Sequence, residues 1–316
     1  MAEAAEEPLS APPSKKRALA KGSGVTLYCG GGSSYYHRTR SKLPPGPASP
    51  DAFAAWPVSV LESLGKPRGG ESQEAGAIRI ARMTSILRGG FVLHTDYSGQ
   101  MSPEVCIAIA AEGLRRRGCP LPEEVLVRWR ACDWDQTCRN LIQTSPHPPE
   151  HLFESIQCRL PAELQAYIVA ARPQKTASKD ETTQAYKKMK DFIWANKANV
   201  FHREMKAPCL LHPGCDCPLA WRDPPGAPPS RRPLTANFSG TQCTPWSSLG
   251  ARAGLTDKNS ESWYIWLAEM STMRYDMTFL ENAPHPMPLK MLQEELAPWA
   301  SVVHVMVGPE AGRRAL

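Results

Sequence analysis

The sequence predicts an α/β fold with a doubly wound, mostly parallel sheet. Two observations point there. Short β-branched and aromatic runs alternate with helix-periodic segments from about residue 90 onward, which is the pattern of successive strand–helix units. The first of these runs ends in a tight glycine turn that leads directly into a helix start.

Taken in order, Phe91-Val92-Leu93 begins a buried strand that ends at Asp96. Ser102-Pro103-Glu104 opens a helix with a capping hydroxyl, an early proline and an acid in the first turn. Arg115 to Arg117 favour its C-terminal end, and Gly118 stops it. Residues 125–131 form the next strand, with Asp133 and Asp135 at its carboxyl end, and 136–143 a short helix. His151-Leu152-Phe153 starts a third strand, and helices are expected over 161–171 and 181–197. Strands then follow at 233–240, 275–281 and 301–307, with helices over 260–273 and 288–299. Ligands of such sheets bind beyond the carboxyl ends of the strands.

Composition sets bounds on function. The apolar fraction of 42% can build a sizeable core, and the net charge of +6 mildly favours a polyanionic partner. No run approaches the roughly 18 apolar residues of a membrane span, and the N-terminus lacks the apolar centre of a secretory signal. The expectation is a protein that is not secreted, nuclear or cytoplasmic, with Lys15-Lys16-Arg17 as a candidate import signal. Ten cysteines in such a chain read as free thiols, a nucleophile or metal ligands rather than a disulfide framework. Residues 1–85, rich in Ala, Pro, Gly and Ser, are expected to be a disordered extension. Residues 86–316 are expected to be the working domain, with a Cys/His- and Pro-rich insert at about 200–234.

Several residue groups could carry chemistry. Asp96-Tyr97-Ser98-Gly99 could present amides to a nucleotide, although an ordinary strand–helix turn uses the same residues. Asp133 could accept hydrogen bonds from ribose hydroxyls while Trp134 stacks on adenine; the alternative is a helix cap beside a core tryptophan. Cys243, in a loop just past a strand, could be a thiolate nucleophile or a structural thiol. Glu281, at another strand end, could bond a substrate ring nitrogen or form a salt bridge. Trp263, Trp266, Leu267 and Met270 have core spacing, and His94 is expected to pack within its strand.

In this order the groups resemble the cytosine-5 DNA methyltransferases, which use S-adenosylmethionine. Asp96-Tyr97-Ser98-Gly99 is similar to the family's opening Asp-Leu-Phe-Ser-Gly, and Asp133-Trp134-Asp135 to its ribose acid. Glu154 matches its third acidic position, near the adenine. Gln242-Cys243-Thr244-Pro245-Trp246-Ser247 resembles the catalytic loop, with Gln242 where the family has proline. Glu281-Asn282-Ala283 resembles its Glu-Asn-Val, and Arg313, within Pro309 to Arg314, its late arginine element.

The resemblance implies a Rossmann-like methyltransferase domain. It also implies methyl transfer to carbon 5 of cytosine in DNA, or in RNA, through a Cys243 adduct at carbon 6. No counterpart of the family's target-recognition domain follows, so a separate chain supplying recognition is an expected partner. A catalytically silent relative that binds the cofactor or a protein partner is the other reading. Separately, Cys209, His212, Cys215 and Cys217 could hold a structural zinc ion, with a further ligand such as His202, or could be free surface thiols.

Overall fold

The computed structural model describes residues 50–67, 71–99, 101–174, 176–223, 232–242, 244–246, 253–257, 259–282, 286–296, 298 and 300. Its centre is a five-stranded sheet in the order β3-β2-β1-β6-β7, parallel at every pairing. The strands are β1 (Phe91–Asp96), β2 (Leu126–Cys132), β3 (His151–Phe153), β6 (Leu234–Gly240) and β7 (Met277–Glu281). A small antiparallel hairpin, β4 (Lys206–Pro208) and β5 (Asp216–Pro218), forms the insert. The sheet bears out the predicted α/β class. The expected strand at 301–307 lies outside the described residues.

Every residue of β1 is buried, as a central parallel strand covered on both faces requires. One apolar cluster joins Phe91, Leu93, Leu126 and Ala236 to Leu61 of α1 (Pro50–Gly65), Leu87 of α2 (Gln73–Gly89) and Leu114 of α3 (Ser102–Arg116). A larger cluster joins Cys132 and Phe153 to α5 (Ala162–Ala171), α6 (Lys179–Val200), α7 (Ser260–Met273) and α8 (Pro286–Leu296). Trp263 and Trp266 are fully enclosed within it, in line with their core spacing.

Two expectations are corrected. Of the extension expected to be disordered over 1–85, residues 1–49 lie outside the described residues, while the part from 50 on holds α1 and the first part of α2. Leu61 is fully buried, in the apolar cluster that α1 shares with α2, α3 and the sheet. Its packing on α3 is close: a Cβ on Gly113 would lie 2.7 Å from the Pro57 carbonyl oxygen. The start of α3 also differs. Its cap is Met101 in the left-handed region (φ 58°), and Ser102 is the first helical residue rather than a capping hydroxyl. Among the described residues, no helix is long and apolar enough to cross a membrane.

Candidate functional site at the strand tips

The strand order reverses between β1 and β6, because β2 lies on one side of β1 and β6 on the other. The carboxyl ends of this pair mark the crevice where doubly wound sheets place ligands. The turn leaving β1 is strained: Tyr97 has φ 58°, Gly99 φ 52° and Met101 φ 58°. Left-handed backbone at two residues with side chains costs energy, and such strain concentrates at ligand-holding loops.

Hydrogen bonds to the β2 tip hold the turn in place. The Ser98 amide donates to the Cys132 carbonyl at 3.1 Å, and the Cys132 amide donates to Ser98 Oγ at 3.1 Å. The Gly99 amide donates to Asp133 Oδ2 at 2.8 Å. Asp133 Oδ1 accepts the Asp135 amide at 2.9 Å. Asp135 is the cap of α4 (Gln136–Gln143), accepting the Thr137 and Cys138 amides, and those bonds hold its carboxyl below its ordinary range. The two acids therefore divide the roles left open by the sequence. Asp135 caps the helix, and Asp133 braces the glycine turn with acceptor capacity to spare.

Trp134 is 61% exposed beside Asp133, a free aromatic face rather than a core tryptophan. Glu154 follows the last residue of β3, as Asp133 follows the last residue of β2, and its side chain is 59% exposed. Arg139 ties these tips together by donating to the carbonyls of Asp133, Trp134 and Glu154 at 3.0, 2.6 and 3.3 Å. Nothing in the residue spacing marks Arg139 for this task.

Asp96 is placed differently from the expectation. It is completely enclosed, so its carboxylate meets protein groups and not a cofactor. Oδ1 accepts from Arg159 Nη1 at 2.8 Å, and Oδ2 accepts from Asn237 Nδ2 at 2.7 Å. Arg130 Nη2 lies 3.5 Å from Oδ2 and also bonds Glu269, which in turn faces Arg159 at 3.0 Å. Burial opposes the charge on Asp96, but Arg159 and Arg130 outweigh it and hold the carboxyl below its ordinary 3.8. Asp96 is a positioning residue that fixes the end of β1 from below. Ser98 is also nearly buried, with its hydroxyl 2.7 Å from that of Thr95.

On the other side of the crevice, Gly240 and Glu281 are register partners at the tips of β6 and β7. A Cβ on Gly240 would lie 3.7 Å from Glu281 Oε2 and 3.9 Å from the Tyr97 carbonyl oxygen. The β1 turn, the β6 tip and the Glu281 carboxylate thus converge within side-chain reach. Asn282 Nδ2 donates to Thr241 Oγ1 at 2.6 Å, which ties the two strand exits together. Cys243 and Arg313 lie outside the described residues. The loop is anchored just past position 243: Asn259 Nδ2 donates to Thr244 Oγ1 at 2.9 Å, the Pro245 carbonyl accepts the Gly254 amide at 3.0 Å, and Trp246 is buried.

Glu104, in the first turn of α3, is buried beneath the β1 turn. Oε1 accepts from Thr95 Oγ1 at 3.3 Å, and Oε2 has no hydrogen-bond partner among the described residues. Burial raises its carboxyl above the ordinary 4.5. Its charged form therefore costs stability above the raised value, and that cost vanishes as pH falls through 4.5. Glu104→Gln is expected to stabilise the protein at pH 7 by about 1 kcal/mol, with the gain gone near pH 4. Thermal melts at the two pH values check this; equal gains at both would contradict it.

The insert carries a second group. His151, Cys209, His212 and Cys217 each offer a ligand atom, and all four atoms lie within 4.8 Å of one another. The set corrects the sequence expectation in one member. Cys215 is exposed and outside the cluster, because the turn from His212 to Cys215 points it away, and His151 takes the fourth place. His202 is exposed elsewhere, its Nδ1 accepting the Glu204 amide at 3.3 Å. His151 stands at the start of β3, far from the Cys/His run in sequence, so local spacing could not reveal it.

Compared with protein-family models, curated proteins and solved structures, the chain has no significant match.

Proposed function

We propose that this chain is an S-adenosylmethionine-dependent methyltransferase of the cytosine-5 type, acting on DNA or RNA with Cys243 as nucleophile. The observation that carries the reading is the convergence at the strand tips. The strained glycine turn after β1 is braced by the acid after β2, and Glu281 stands against Gly240, three positions before Cys243. Asp133 and the exposed Trp134 offer a hydroxyl acceptor and a stacking face on the β2 side of the crevice. Glu281 offers a carboxyl on the β7 side, suited to the N3 edge and amine of a flipped cytosine. An adenosyl sulfonium seated over the first would meet a pyrimidine held by the second. Asp96 contributes by position alone.

The test of the cofactor half is calorimetric titration with S-adenosylhomocysteine. Wild type is expected to bind, and Asp133→Ala to bind about 10- to 100-fold more weakly, the range for losing hydrogen bonds to a charged acceptor. The reading fails if wild type shows no binding, or if Asp133→Ala binds equally well.

A further inference from the structure

We infer that His151, Cys209, His212 and Cys217 form a zinc site that fastens the β4–β5 insert to the sheet. His212 Nδ1 lies 3.4 Å from both Cys209 Sγ and Cys217 Sγ. In a tetrahedral zinc site with ordinary Zn–N and Zn–S lengths, neighbouring nitrogen and sulfur ligands stand about 3.5 Å apart. Two of the pairs already have that spacing, and all four atoms lie within 4.8 Å of one another.

Burial and hydrogen bonding point the same way. Cys209, Cys217 and His151 are 5%, 7% and 9% exposed. Among the described residues His151 Nδ1 is buried with no hydrogen-bond partner, a cost that metal coordination through that nitrogen would offset. His212 is the exposed member, while on the inner side the Trp129 ring meets His151 at 4.6 Å and Trp221 at 4.9 Å, both edge-to-face.

The donor set selects the ion. Two thiolates and two imidazoles in a tetrahedron suit zinc, whereas calcium and magnesium require oxygen ligands. With four protein ligands no position is left for water or substrate, so the ion is structural. Binding at neutral pH releases the two thiol protons to solvent as the Zn–S bonds form.

Its structural task follows from the chain. Cys209, His212 and Cys217 come from the hairpin and its loop, and His151 from the first position of β3. The Leu210 amide also donates to the Leu152 carbonyl at 2.8 Å, directly beside His151. The ion would therefore join two segments that are distant in sequence, one of which belongs to the central sheet.

The experiment is zinc analysis of the purified full chain after extensive dialysis, with cobalt substitution. About one equivalent of zinc is expected, and cobalt should give tetrahedral d–d bands with thiolate charge transfer. Cys217→Ser and His151→Ala should fall below about 0.2 equivalents, while Cys215→Ser keeps about one. Should the ligand variants fail to fold, the wild-type cobalt spectrum and the zinc content of Cys215→Ser still decide. Wild type holding less than about 0.2 equivalents after zinc supplementation, an octahedral thiolate-free spectrum, or loss of zinc in Cys215→Ser would each overturn the inference.

Discussion

Arg159→Met should cost about 3–5 kcal/mol of stability, read as a lowered midpoint of urea unfolding. The reason is charge arithmetic in a sealed space. Asp96, Glu269, Arg130 and Arg159 are each at most 2% exposed, so two anions face two cations with almost no water. Removing one guanidinium leaves an uncompensated negative charge beneath the β1 tip, and the methionine cannot replace the bonds to Asp96. Adding Asp96→Asn should recover part of the loss, since it removes that charge.

The pH dependence has a definite sign. A carboxyl held below its unfolded value contributes stability that is complete above that value and is lost as pH falls through the folded one. For Asp96 that window opens near 3.8 and extends below it. The difference between wild type and Arg159→Met should therefore be largest at neutral pH and shrink below about pH 4. A difference that is constant with pH would show that the loss is packing alone.

Under the proposed function, wild type incubated with S-adenosylmethionine and an oligonucleotide bearing 5-fluorocytosine should form a denaturation-resistant adduct. The thiolate of Cys243 would add to carbon 6, and the enamine so formed would take the sulfonium methyl at carbon 5, releasing S-adenosylhomocysteine. With hydrogen at carbon 5 a base removes that proton and the thiolate leaves; fluorine cannot depart as a cation, so the carbon–sulfur bond persists. Cys243→Ala should give no adduct. Glu281→Gln should slow adduct formation by about 10²- to 10³-fold, the usual effect of weakening a group that stabilises developing charge. Binding of S-adenosylhomocysteine without any adduct would support the catalytically silent reading. An equal adduct in Cys243→Ala would reject the assigned nucleophile.

The sheet was legible because its strands are buried parallel runs separated by helix-periodic segments, a signal that survives without long-range information. The turn after β1 and the division between Asp133 and Asp135 were half legible. The acids could be found, but only coordinates show that one caps α4 while the other binds the Gly99 amide. The true place of Asp96 was hidden, since its partners Arg159, Asn237 and Glu269 are scattered along the chain and look like ordinary polar residues. The same distance concealed His151. Helix α1 is hidden in the sequence because its Pro- and Ala-rich run resembles a linker, and its reason to be ordered is tertiary: Leu61 is buried in the cluster it shares with α3.

The insert also bears on how the molecule behaves at high concentration. Among the described residues β3 is the outermost strand on its side, and an outermost strand normally offers free carbonyls and amides to any neighbouring chain. Here the Leu152 carbonyl is already taken by the Leu210 amide, and the knuckle around Cys209 lies across that flank. A segment that looks ornamental in sequence thus occupies one of the outward hydrogen-bonding positions of this margin, which its removal would open to a neighbouring chain.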